Sequence, residues 1–272
     1  MKKANKLILI IIIIILTIGC SKDNKPTIKE KKINNKINTS ISYYKKENYN
    51  RYLNYKSKNK NLSDEDIITY VNIGLDMPYY TNTKETPDLN KIYILSNKYL
   101  YMPSTYTPDN LTIINSEYTN GTKKLVSYAK EAFEKLATDA KKEGFTIRAI
   151  SAYRSYQYQE VLYNKYVSQD GVKKADTYSA RPGYSEHQTG LVVDVDNGII
   201  DFNKFESTKE FTWMSENSYK YGFILRYPKD KENITGYTYE AWHYRYVGPE
   251  IATKIKNLNI TFDEYYTKYI SN

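Results

Sequence analysis

A single cysteine, Cys20, occurs in 272 residues, so no disulfide can form within the chain. Histidine is almost as scarce, with only His187 and His243. One cysteine and two histidines fall short of the four N/S ligands that a closed structural zinc site takes. No uninterrupted apolar run reaches the roughly 20 residues that a membrane-spanning helix needs; the run from Leu7 to Leu16 falls well short of that. Most of the chain also lacks a cationic excess. The total is 40 Lys and Arg against 31 Asp and Glu, but residues 21–60 alone hold twelve basic and three acidic side chains, whereas residues 61–272 hold 25 basic and 28 acidic. A body without net positive charge argues against nucleic acid as a partner. No repeat of fixed period is present.

What stands at the front is a basic start (Lys2, Lys3, Lys6), an apolar run, and small residues leading to Cys20. That is the layout of a secretory leader, to be set aside from the fold. Gly19-Cys20 resembles the lipobox of bacterial lipoproteins, with Thr17 where Leu is commonest. The resemblance implies lipidation at Cys20 and a body held at the membrane outside the cytoplasm. The Lys- and Asn-rich stretch of residues 21–60 has few apolar anchors and is expected to be a disordered basic tether. Forty residues span at most about 140 Å fully extended, and lysines in such a segment favour anionic lipid or wall polymer.

Within the body, Ser63 followed by three acids predicts a helix start, with Ile67, Ile68 and Val71 on its buried face. Residues 91–111 begin β-rich and are then broken by Pro103 and Pro108, which predicts a strand followed by a wrapping segment. Residues 122–144 carry Leu125, Val126, Ala129, Ala132, Phe133, Leu136, Ala137 and Ala140 at helical spacing, closed by Gly144. Strands are expected at 145–154, 191–196, 223–228 and 241–247, with helices at 155–171, 207–222 and 248–258. The last two strands adjoin in sequence, as an antiparallel pair would, so the expected class is α+β rather than a regularly alternating α/β sheet.

Both histidines have carboxylates near them. His187 precedes Asp194 by seven residues with Gly190 between, and Asp194 lies in an otherwise apolar strand. A carboxylate there is costly unless paired, hydrogen-bonded or metal-bound, or unless the alternation of the strand turns it to solvent. Asp196 shares the face of Asp194, so periodicity alone does not choose between them. His243 lies in an aromatic strand, where a lone histidine is more often a packed core residue. Glu240, three residues earlier, faces the other way in a regular strand, so a shared site demands a bend or bulge near Ala241. Taken together, two His and one Asp make a three-ligand zinc set with an open fourth position. Glu240 is then the candidate proton acceptor, and Arg154 a candidate donor to a developing oxyanion or a substrate carboxylate.

The segments "SAYRSYQYQ", "SEHQTGLVVDV" and "EAWHYRYVG", in that order, resemble the VanY-type D-alanyl-D-alanine carboxypeptidases, part of a wider zinc peptidase group. The match covers about residues 145–250. It implies His187, Asp194 and His243 as ligands of one Zn²⁺ per chain, Glu240 as general base, and Arg154 as the group that steadies substrate and transition state. It further implies Ser185 and Gln159 as substrate contacts. Val193 departs from the smaller residue that many relatives carry just before the Asp. The implied fold is a small α+β domain whose mostly antiparallel sheet lines the metal cleft, the fold shared with hedgehog proteins.

The expected organisation is a lipoprotein leader over 1–20, a tether over 21–60, an N-terminal wrapping segment over 61–118 and the zinc carboxypeptidase domain over 119–272. The expected activity is removal of the terminal D-Ala from peptidoglycan stem peptides by a membrane-anchored monomer outside the cytoplasm. The rivals are an L,D-carboxypeptidase or endopeptidase with the same zinc site, or a non-catalytic lipoprotein that binds the wall. The 31 tyrosines accompany abundant Lys, Asn and Ile, so biased coding is the main reading, with stacking of some on sugar rings or peptide as the other; Tyr-rich loops are expected to wall the pocket.

Overall fold

The computed structural model describes residues 36–271; the leader, Cys20 and the first part of the expected tether lie outside them. In chain order the elements are α1 (Tyr49–Lys58), α2 (Asp64–Ile73), β1 (Lys84–Glu85), β2 (Leu100–Tyr101), β3 (Leu111–Ile113), β4 (Lys124–Val126), α3 (Ser127–Lys142), β5 (Arg148–Ser151), α4 (Tyr156–Asp170), α5 (Val172–Tyr178), β6 (Val192–Asp196), α6 (Lys209–Asn217), β7 (Phe223–Leu225), α7 (Glu232–Thr235), β8 (His243–Tyr246), α8 (Pro249–Leu258) and α9 (Phe262–Tyr269). Helices surround one four-stranded antiparallel sheet of order β5-β6-β8-β7, the α+β arrangement expected. No described helix is long and apolar enough to cross a membrane.

The sheet is covered on both faces. Val193 and Val195 of β6, Phe223 of β7, and Tyr244 and Tyr246 of β8 join the main core with the buried stripe of α3: Ala129, Phe133, Leu136, Ala137 and Ala140. That spacing is the apolar face of an amphipathic helix. Phe133 meets the edge of Phe223 at 6.3 Å between ring centres, and removing such a fully buried ring costs about 3–5 kcal/mol. Alternation along β6 and β8 turns Asp194, His243 and Arg245 to the other face. Asp194 of β6 lies directly opposite His243 of β8, and opposite Ser151 of β5, where the ladder shifts between Ala149 and Ser151.

Three expectations are corrected by the structure. Residues 36–60 are not an unstructured tether: α1 packs on α2, with Tyr52, Ile67, Ile68 and Val71 fully buried in one cluster. Tyrosines and the aliphatic stems of this segment supply apolar surface that a count of Lys and Asn conceals. Leu125 and Val126 belong to β4 rather than to the helix after it, because they pair with β3. The strand expected near residue 92 does not form. Instead the carbonyls of Ile92 and Ile94 accept hydrogen bonds from the buried Arg245 guanidinium at 3.1 and 2.7 Å. All the described residues belong to one compact unit. Helix α2 forms as read, with a capping box between Ser63 and Asp66 and a left-handed Gly74 at its end.

Candidate metal centre and active site

Two ligand candidates come from one rung of the sheet. Residues directly opposite on neighbouring strands present their side chains on the same face, so the register of β6 and β8 brings Asp194 beside His243. The third comes from a 3₁₀ turn, Glu186–Thr189, that ends at Gly190. Gly190 has φ +68°, and a Cβ there would lie 2.9 Å from Leu111 and 3.0 Å from Val126. Only glycine lets the chain reverse in that space, leaving the turn for β6 with His187 aimed back over Asp194.

The resulting distances suit a metal. His187 Nε2 lies 3.3 Å from Asp194 Oδ2, and His243 Nδ1 lies 3.1 Å from Asp194 Oδ1. Ligands about 2.0–2.2 Å from a tetrahedral zinc sit about 3.3–3.6 Å apart along an edge. One ligand atom from each of the three residues falls within 4.8 Å of the others. Asp194 Oδ1 is buried yet makes no hydrogen bond, an orphaned acceptor that a cation would satisfy. His187 Nδ1 is 2.6 Å from the Ala152 carbonyl, a contact that fixes the ring with Nδ1 as donor and Nε2 as free lone pair. Burial, reinforced by the nearby Arg154, pushes the His187 imidazole down to about 4, so it is neutral at pH 7. Burial opposes ionisation of Asp194, but His187, His243 and Arg154 outweigh it and hold the carboxyl well below its usual range. A neutral imidazole at His187 and an ionised carboxylate at Asp194 are donor states that zinc requires.

Glu240 and Arg154 flank this triad. Glu240 lies outside the strand: residues 241–242 form a turn before β8 begins at His243, with His243 N bonded to Glu240 O at 3.4 Å. That turn supplies the bend that the three-residue spacing demands, and it places Glu240 Oε2 3.4 Å from His243 Nδ1. Burial pushes the Glu240 carboxyl up to about 7, reinforced by Asp194 and opposed by His243 and Arg154. A carboxyl poised there can both take and return a proton near neutrality. Arg154 donates from Nη2 to Asp194 Oδ2 at 2.8 Å and from Nε to Ser151 Oγ at 3.0 Å. It therefore braces a ligand as well as lining the cleft.

All seven residues singled out from the sequence in the body (His187, Asp194, His243, Glu240, Arg154, Ser185 and Gln159) line one open cleft of about 560 Å³. Gln159, on α4, donates to the Ala180 carbonyl at 2.8 Å, while its buried Oε1 has no partner. Ser185 is buried at the start of the 3₁₀ turn. Asp196 is the other carboxylate of the β6 face, and it is engaged elsewhere, 3.4 Å from Arg148 Nε. Sequence reading named no residue of the aromatic walls: Tyr227 and Tyr237, 4.8 Å apart, with Tyr227 also 4.8 Å from the His243 ring, and Phe202 against Trp242 at 5.0 Å. Among 31 tyrosines these carry no local mark. The one available signal was Trp242, one of two tryptophans, beside a candidate ligand.

Comparison with known proteins agrees with this geometry. Residues 122–249 match the family model described as VanY, D-alanyl-D-alanine carboxypeptidase. The chain is 41% identical over 208 residues to YodJ of Bacillus subtilis, assigned as a carboxypeptidase, covering 72% of this chain and 76% of YodJ. Among solved structures it is similar to the LdcB LD-carboxypeptidase, with 39% identity and TM-score 0.65 over 69% of this chain and 91% of that one. It is also similar to a VanY D,D-pentapeptidase of a vancomycin-resistance cassette solved with Zn(II), with 33% identity and TM-score 0.54 over 64% and 97%. A rung that pairs Asp194 with His243, a turn that delivers His187, and relatives matched along most of their length place the chain in the VanY family of D-alanyl-D-alanine carboxypeptidases.

Proposed function

We propose that this protein is a zinc-dependent D,D-carboxypeptidase that removes the terminal D-Ala from peptidoglycan stem peptides. The observation that carries the reading is the buried His187–Asp194–His243 cluster with an unpartnered carboxylate oxygen, facing a cleft that also holds Glu240 and Arg154. When bound there, zinc supplies Lewis-acid polarisation of the scissile carbonyl and lowers the pKa of the attacking water. Glu240 accepts the proton of that water and returns it to the departing amine of D-alanine. Arg154 keeps Asp194 ionised and oriented, and its guanidinium, at the cleft wall, donates to the oxyanion. Ser185 and Gln159, both on the cleft lining, serve as hydrogen-bonding contacts to the peptide in this reading. The chain acts outside the cytoplasm, held at the membrane through lipidated Cys20; this part rests on the leader sequence alone.

An L,D-specificity is the second reading, favoured by the likeness to the LdcB LD-carboxypeptidase. Mass spectrometry of purified stem peptides, with and without a chelator, separates the two. D,D-cleavage turns a pentapeptide into a tetrapeptide, L,D-cleavage turns a tetrapeptide into a tripeptide, and an endopeptidase cuts internally. Cleavage that survives full metal removal overturns the zinc assignment, and no change in any peptide overturns the enzyme.

A further inference from the structure

Lys98 has no role in the chemistry above, yet its side chain is almost entirely buried. Among the described residues no carboxylate pairs with it. Its ammonium donates to the Asp176 carbonyl at 2.5 Å and to Tyr80 Oη at 3.1 Å, and it lies 3.5 Å from the centre of the Tyr237 ring. Two of its three N–H bonds therefore go to oxygens, and the third side of the cation faces a π-cloud. Tyr80 and Tyr79 complete the cage at 5.0 and 5.7 Å. Burial pushes Lys98 down to about 7 and outweighs Asp176 and Glu240, which favour the ammonium only through space, so holding a charge at this position is costly.

The groups that Lys98 joins belong to the two walls of the cleft. Asp176 is in α5, and the α4–α5 pair lines one wall with Leu162, Tyr166, Gln169 and Tyr178. Tyr237 opens the segment that runs to Glu240 along the other. The two walls meet at one backbone bond, Thr238 N to Thr177 O at 2.8 Å, immediately beside the Lys98 contacts. The stem of Lys98 also fits against Gly236: with φ +74°, a Cβ there would lie 3.0 Å from Lys98 Cγ and Cε. Beyond Tyr237 the aromatic series continues through Tyr227 to His243. We infer that Lys98 is a positioning residue that clasps the α4–α5 wall to the 236–240 segment, and so sets the width of the cleft and the placement of Glu240. The part that concerns turnover rests on the carboxypeptidase reading; the clasp itself does not.

The test uses the full chain with Lys98→Met, which keeps the stem and removes both donors and the charge. The expected result is faster backbone amide exchange at Thr238, by at least about tenfold, with exchange in α3 and β6 unchanged and metal content retained. With substrate, KM should rise more than kcat falls, and kcat/KM should drop by about 10- to 100-fold, the scale of a misplacement of about 1 Å; Lys98→Arg should recover part of it. Unchanged exchange at Thr238 together with unchanged KM overturns the inference. So does faster exchange spread evenly over the whole chain, which marks Lys98 as a general stabiliser. If Lys98→Met does not fold, Tyr80→Phe removes one acceptor alone; exchange at Thr238 should still quicken, and no change there overturns the clasp. If the wild-type chain cleaves no stem peptide, the functional reading fails while the exchange result still decides the role of Lys98.

Discussion

Glu186 and His187 are adjacent in the chain and equally buried, yet they serve two ionic clusters of opposite design. Glu186 Oε1 accepts from Arg226 Nε at 3.0 Å and from Arg245 Nη1 at 3.2 Å. Arg226 also binds Asp263 of α9 at 2.7 Å, and Asn97 donates to the same Asp263 at 2.8 Å. Two arginines and two carboxylates cancel, sealed beneath the Phe262 ring. Burial works against ionising Glu186, and its two arginines outweigh it. The cluster that includes His187 faces the cleft instead, and it keeps Asp194 Oδ1 and His243 Nε2 without hydrogen-bond partners. The first cluster also leaves Glu186 Oε2 and Arg226 Nη2 without partners, but it is closed in charge, each arginine facing a carboxylate, and it ties the turn, the sheet, the 92–97 segment and α9 together. The other is incomplete in a different sense: two imidazoles and a carboxylate converge to within 4.8 Å of one another at the open cleft, and that donor set is what gives it chemistry.

Substitutions can break this contrast, and the largest effect is expected at the incomplete cluster. His187→Ala or Asp194→Asn should abolish metal binding and activity together, read by elemental analysis and peptide cleavage. A full metal complement in either variant would show that the donor set is misassigned. Glu240→Gln should keep the metal and lose about 10²- to 10⁴-fold in kcat; retained turnover would remove Glu240 from the reaction. In the closed cluster the effect should fall on stability. Arg226→Met leaves Glu186 and Asp263 short of a counter-charge and should cost about 3–5 kcal/mol in denaturant unfolding, with the metal content of the folded fraction unchanged. Loss of metal without loss of stability would mean that the two clusters are one. The smallest effect is expected for Arg148→Ala. Its pairing with Asp196 joins the same strands, β5 and β6, but the arginine is about a third exposed (32%), so unfolding should shift by less than about 1 kcal/mol.

The incomplete cluster was legible in sequence for a physical reason. Metal ligation restricts residue type tightly, and in a chain with two histidines each one is conspicuous. The turn at 241–242 was foreseeable too, because a strand could not otherwise bring Glu240 and His243 to one side. The closed cluster left no such trace. Nothing local marks Arg226, Arg245 or Lys98 as buried, since such residues seldom are, and their partners lie far away in the chain: Arg245 with Ile94, Lys98 with Asp176. Local pattern misjudged the wrapping segment for the same reason, because the Arg245 guanidinium takes up carbonyls that a strand partner would otherwise bind. Helix α1 was hidden by its lysines and asparagines, which leave Tyr52 as its one fully buried contribution.

The rung that pairs Asp194 with His243 has a consequence for assembly. Two of the three donors are supplied by the most central pairing of the sheet, so two thirds of the donor set arises with the pairing of β6 and β8. The third arrives on a short turn held by Gly190. A bound ion would thus be held by two donors on the sheet and one on the turn, and release under mild heating or chelator is expected to begin with the imidazole of the turn letting go.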